Sequence, residues 1–255
     1  NTCYYMFGGP DFLYANLFFP QAKTYILAGL EPVGQVPDIT KMDRATMRTD
    51  LNALRQSMHT VLQTHYFITK DMRTDLSGPN FGGTLPILYV FLARMNCTVL
   101  DTTYVKSPAE GVKITFTTIR GGPPQTLYYF KTDLSGGGQS PFLKWCAKQG
   151  PGVSLLKAAS YLMHTEGFNG VRNFLLNNSR VIVQDDSGIP LRAFPKNWKV
   201  DFYGHFVPHE EMFAKYDQPD LAAIYKRDPP PPDLGFAFGY HWQKDRGLLM
   251  LATRK

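Results

Sequence analysis

Apolar and polar residues change period along this chain, and each change marks an element. Tyr4-Tyr5-Met6-Phe7 is a short apolar run closed by Gly8-Gly9, which predicts a buried strand. Pro10 to Phe19 follows as a short helix, with proline in its first turn and Pro20 as its stop. Lys23 to Ala28 is a second strand. A β-α-β order of this kind favours parallel pairing and a right-handed crossover.

Thr40 or Asp43 caps a long helix running to about His65, with Met42, Leu51, Leu54, Met58, Val61 and Leu62 on one stripe. Thr69 to Gly83 reads as a loop. Leu85 to Met95 is apolar all round, the signature of a buried helix. Thr98 to Val105 is strand-like. Val112 to Ile119 and Thr126 to Thr132 flank Gly121-Gly122-Pro123-Pro124 as an antiparallel hairpin.

In the second half, Pro141 to Lys148 is a short helix. Val153 to His164 and Gly167 to Leu176 read as two helices broken near Gly167. Arg180 to Gln184, Trp198 to Val207, Leu234 to Trp242 and Leu248 to Thr253 read as strands. Short helices at about Glu210 to Tyr216 and Gln218 to Tyr225 separate the late ones. The proline run within Asp228 to Asp233 is an extended connection, read as a loop rather than a domain boundary. The expected fold class is α/β (or α+β): one domain over 1–255, a mixed β-sheet with helices packed on it.

Composition narrows the class. The chain has 255 residues and is 44% hydrophobic, enough for a large core and against general disorder. The net charge of +6 comes from scattered Lys and Arg, with no basic run or basic aromatic helix, so nucleic acid is not an expected partner. No apolar run reaches the length of a membrane span, so no transmembrane segment is expected. Cys3, Cys97 and Cys146 lack metal-ligand spacing and read as buried thiols. The chain starts without Met and reads as a processed or a trimmed product; removal of a signal peptide, and so export, is one expectation.

The chemistry concentrates after strands. Acidic residues follow the predicted strands at Asp11, Glu31, Asp133, and the pair Asp185-Asp186. Ligands in open α/β sheets bind beyond the carboxyl ends of strands, so these groups are expected to meet on one rim. Adjacent carboxylates repel, and a cation or basic group must offset them. Asp185, Asp11 and Glu31 are therefore candidate ligands for Mg²⁺ or Ca²⁺, which prefer oxygen donors. Asp185 is expected to face the cleft and Asp186 the turn. Asp and Glu at such places also serve as helix caps and turn residues.

A second group lies on the predicted helix Val153 to His164. There Lys157, Ser160, Tyr161 and His164 are spaced to share one face, with Ser160 and His164 within reach of each other or of one partner. His164 is the candidate acid/base, and Lys157, Ser160, Asp133 and Asp185 are candidate catalytic partners. Ser154-Leu155-Leu156-Lys157 matches the Ser-x-x-Lys pattern of serine acyl enzymes, but no Lys-Thr-Gly or Gly-x-Ser-x-Gly accompanies it. His205 and His209 are four apart with Pro208 between them, which disfavours a helical metal pair. Tyr240, His241 and Trp242 form a candidate binding patch for a glycan or a protein.

Two functions follow as expectations. One is a hydrolase-like enzyme with an acidic cleft at the strand ends, assisted by a divalent cation, acting on a small molecule or glycan. The other is a non-catalytic exported protein that binds a glycan or protein through its aromatic residues. Substrate and oligomeric state are not encoded in any motif.

Overall fold

The structure is a computed structural model. It describes residues 1–36, 38–64, 81–118, 122–137, 140–158, 160–209, 211–239 and 247–255. The chain is an α/β protein built on mixed β-pairing with helices. It divides into two compact units, Asn1–Asp133 and Leu134–Lys255.

In the first unit, β1 (Thr2–Tyr5), α1 (Phe12–Phe18) and β2 (Thr24–Gly29) form the expected β-α-β, with β1 and β2 parallel. Next come α2 (Arg44–Thr64) and α3 (Leu85–Arg94). β3 (Thr98–Val105), β4 (Gly111–Thr117) and β5 (Gln125–Lys131) pair antiparallel in succession, and β5 pairs parallel to β2. The strand order is β3-β4-β5-β2-β1. Phe12 of α1 sits edge-on to Tyr25 of β2 at 5.1 Å and to Phe116 of β4 at 5.3 Å. The Tyr25 hydroxyl accepts from Asn16 Nδ2 at 2.9 Å and donates to the Phe19 carbonyl at 2.8 Å, so it ties down the C-terminal end of α1.

The second unit contains α4 (Pro141–Lys148), β6 (Gly152–Leu156), α5 (Asn169–Asn178), β7 (Ser179–Gln184), β8 (Trp198–Gly204), α6 (Pro219–Tyr225) and β9 (Leu248–Arg254). Its strand order is β6-β7-β9-β8. β6 and β7 are parallel, while β9 is antiparallel to both β7 and β8. Leu221, Leu248 and Met250 are buried together, with Val200, Phe202 and Phe206 packed against them.

Two predicted elements are corrected. Val153 to His164 is not a helix: residues 152–156 are β6, and single 3₁₀ turns follow at Tyr161–His164 and Glu166–Phe168. A short, mostly apolar run fits a buried strand as well as a helix. Gly150-Pro151-Gly152 blocks a helical start, and Ala158 at φ 42 lies in the left-handed region, which a right-handed helix does not contain. Leu234 to Trp242 is not a strand over its described part, residues 234–239, where Gly239 turns the chain at φ 85. Residues 240–242 lie outside the described residues. The three cysteines are free thiols, with Cys3 and Cys146 buried.

Candidate functional site

β9 runs against both β7 and β8, so β8 points the same way as β6 and β7. The carboxyl ends of these three strands therefore lie on one edge of the second unit. The segments leaving them carry the site: 157–164 after β6, 185–190 after β7, and 205–217 after β8.

The turn after β7 is fixed by side chains. Gln184 donates from Nε2 to the Ile189 carbonyl at 2.8 Å and accepts from the Ile189 N–H at 2.9 Å, closing the loop between them. Asp185 fills that loop. Its Oδ1 accepts from the Ser187 N–H at 3.0 Å and the Ser187 hydroxyl at 2.5 Å, and its Oδ2 accepts from the Ala158 N–H at 2.7 Å. Burial, then the neighbouring Asp186 charge, push the Asp185 carboxyl above the ordinary carboxylate range. Ser187 also accepts from the Ser160 N–H at 3.2 Å, which binds the β6 loop to the β7 turn.

Asp186 points elsewhere. Its Oδ2 lies 2.7 Å from His209 Nε2, both side chains being at most 2% exposed. The contact sets a carboxylate oxygen directly against the ring nitrogen. On the other side of the ring, His209 Nδ1 meets Asp217 Oδ1, which also accepts from the His209 backbone N–H at 3.1 Å. Burial opposes the charged imidazole, but the contacts with Asp186 and then Asp217 outweigh it and raise the His209 pKa above its ordinary value. His209 is therefore a buried ring held between two carboxylates that both favour its charged form.

An aromatic wall holds this line in place. Tyr161 meets the His209 ring edge-on at 4.9 Å and stacks on Tyr216 at 5.1 Å and Phe213 at 5.0 Å. Gln218 donates to the Asp186 carbonyl at 3.0 Å and accepts from the Leu191 N–H at 2.8 Å.

Asp217 is the open end, with a side chain 36% exposed. It borders a polar cavity of about 230 Å³ lined also by His164, Thr165, Arg192, Lys215 and Tyr216. It also borders a mostly apolar cavity of about 400 Å³ whose walls include Phe206, Pro208, Pro219, Ala222 and Tyr225. His164 lies edge-on to Tyr216 at 5.6 Å. Burial, then the Arg192 charge, lower its pKa to about 4, against the opposing pull of Asp186 and the Gly188 backbone. The ring is neutral at pH 7. His164 Nε2, Ser160 Oγ and Asp186 Oδ1 are buried without a hydrogen-bond partner.

The predicted site residues separate by unit. Asp11 and Glu31 belong to the first unit and follow β1 and β2. Asp11 caps α1, accepting from the Tyr14 N–H at 3.3 Å, and takes the Tyr5 hydroxyl at 3.1 Å. The Tyr129 hydroxyl donates to the Glu31 carbonyl at 2.8 Å, with Glu31 Oε2 at 3.3 Å. Asp133 is exposed just after β5. In the second unit, Asp185, Asp186, Ser160 and His164 come together after β6 and β7, although no helix carries Ser160 and His164 and no hydrogen bond joins them. Lys157 is wholly buried just after β6. Ser154 does not form a Ser-x-x-Lys helix: it lies in β6 with its hydroxyl 2.6 Å from that of Ser179. Asp185, expected to face the cleft, builds the turn, and Asp186, expected in the turn, is buried against His209. Among the described residues, no group of three His, Cys, Asp or Glu side chains is arranged to hold a metal ion. Tyr240, His241 and Trp242 lie outside the described residues.

His209 and Asp217 are the participants that sequence reasoning missed. The i, i+4 spacing of His205 and His209 does not point to the partners of His209, which pairs across the strand-end edge rather than along a helix. Asp217, eight residues on, follows a predicted helix with no feature that marks it.

Comparison with protein families, with curated proteins and with solved structures finds no match to this chain.

Proposed function

We propose that the second unit is a hydrolase-like acid/base site, working at the cavity shared by His164 and Asp217. The observation that carries the reading is His209 locked between Asp186 and Asp217, with Asp217 opening onto the cavity that His164 also lines. A carboxylate held by a buried imidazolium is fixed in orientation before substrate arrives, which is what electrostatic catalysis requires.

The proposed step is the hydrolysis of an ester bond. Water gives a proton to the His164 ring as its oxygen bonds to the electrophilic carbon or phosphorus. The bond to the leaving oxygen breaks with its electron pair, and His164 returns the proton to that oxygen. The Asp186 carboxylate, whose charge acts on the His164 ring, favours the imidazolium that forms in between. Ser160, with its unpartnered buried hydroxyl, is a donor available to the same neighbourhood.

The test is turnover of p-nitrophenyl acetate and p-nitrophenyl phosphate by the whole chain. We expect hydrolysis of at least one, a loss of kcat/KM of roughly 100-fold in His164→Gln, and melting no lower than wild type. No turnover of either ester, or equal turnover by His164→Gln, overturns the reading. Ligand capture without turnover would move the assignment to the other reading, a non-catalytic exported protein that binds a glycan or protein.

A further inference from the structure

The acid/base reading leaves two cations without a task. Arg192 and Lys215 both line the polar cavity. Neither forms an ion pair among the described residues. Lys215 only lies over the Tyr216 ring, 5.0 Å from its centroid. Among the described residues the one carboxylate on that cavity is Asp217, which shares His209 with Asp186. Arg192 and Lys215 outnumber it, so the net charge lining the cavity is positive, although the strand-end residues are acidic. Arginine beside a lysine in a small polar cavity is the usual chemistry for a carboxylate or phosphate.

The second cavity adds a body to this charge. It lies on the other border of Asp217, and most of its lining is apolar: Phe206, Pro208, Pro219, Ala222, Tyr225 and Pro230. Its volume, about 400 Å³, is in the range of small-molecule sites. A ligand spanning both cavities passes Asp217 and brings its charged end to His164.

We infer that this site takes an organic anion, with a carboxylate or phosphate held between Arg192 and Lys215 and an apolar body in the adjoining cavity. The inference rests on the acid/base reading and names its substrate class. It also gives Arg192 a second effect. After burial, the Arg192 charge is what most weakens His164 as a base. An anion seated beside Arg192 offsets that charge, so His164 becomes a better proton acceptor when substrate is present.

The experiment is calorimetric titration of the whole chain with phenyl phosphate, phenylacetate, inorganic phosphate and benzyl alcohol. We expect one of the two organic anions to bind at least tenfold tighter than inorganic phosphate, and benzyl alcohol to bind more weakly than that anion. The tighter of phenyl phosphate and phenylacetate assigns the charged group. Arg192 is exposed, so Arg192→Gln should fold as wild type while weakening the organic anion at least tenfold. Ala222→Trp fills the apolar cavity and should remove the tenfold preference over inorganic phosphate; thermal melting verifies that both variants fold. Equal binding of the anion by folded Arg192→Gln, or benzyl alcohol binding as well as the anion, overturns the inference. The two readings fail separately. Anion binding in this pattern without ester turnover would sink the hydrolase reading alone. Turnover that needs His164, with anion binding indifferent to Arg192, would sink the anion site alone.

Discussion

Asp186 Oδ2 and His209 Nε2 lie 2.7 Å apart, with side chains 2% and 1% exposed. A charge pair so thoroughly removed from water is stable only while both partners are present. Asp217 completes the arrangement from the opposite ring nitrogen.

The first prediction is a pH dependence of stability. The folded pKa of His209 is raised above its ordinary 6.5. The folded chain then holds a proton that the unfolded chain has released. The stabilisation is complete below about pH 6.5 and is lost as pH rises through the raised folded value. The melting temperature should fall over that window. His209→Gln should be destabilised by about 3 kcal/mol and should lose this part of the pH dependence. Melting curves of both proteins across neutral to alkaline pH check it.

His164 acts in the opposite sense. Its folded pKa is lowered to about 4 from 6.5. Between those values the unfolded chain binds a proton that the folded chain refuses, so stability falls as pH drops from about 6.5 toward 4. His164→Gln cannot take that proton and should lose less stability over the same interval. Urea midpoints at pH 6.5 and pH 4.5 measure the difference.

Asp185 and Ser160 separate a structural role from a functional one. Asp185→Asn puts an amide among three donors, Ala158 N–H, Ser187 N–H and Ser187 O–H, and should cost about 2 kcal/mol. Ser160→Ala removes a buried hydroxyl that has no partner, and should change stability by less than about 0.5 kcal/mol or increase it. Urea denaturation of the two variants tests the contrast, and a large loss in Ser160→Ala would contradict it.

Gly204 sets the exit of β8 toward His209. It has φ 81, and a Cβ there would sit 1.8 Å from the Gly247 carbonyl oxygen. Gly204→Ala should therefore cost about 3 kcal/mol or more, through both the left-handed backbone and the clash. Thermal denaturation monitored by far-UV circular dichroism checks it.

Much of the fold is legible in the residues, and the reasons are local. The β-α-β at the start is written in two apolar runs around a proline-started helix, and the β4–β5 hairpin in alternation around a glycine-proline turn. β6 is not legible, because Val153-Ser154-Leu155-Leu156 has no period that distinguishes a buried strand from a helix. The site is half legible. Asp185 and Asp186 announce themselves as adjacent charges after a strand, yet which of them leaves the turn depends on Gln184 clasping Ile189. His209 is hidden by Pro208, which argues against a helix but says nothing about pairing across strand ends. Asp186, His209 and Asp217 meet only because β7 and β8 run the same way with β9 between them.

The central claim is that two histidines of one site are held in opposite charge states. His209 is an imidazolium between Asp186 and Asp217, and His164 is a neutral ring on the cavity. Nitrogen-15 NMR of the imidazoles at pH 7 in the ligand-free protein tests this most directly, with His164→Gln and His209→Gln to assign the signals. The account predicts two protonated ring nitrogens for His209 and one protonated, one bare nitrogen for His164. A neutral His209, or a His164 charged at pH 7, would contradict it.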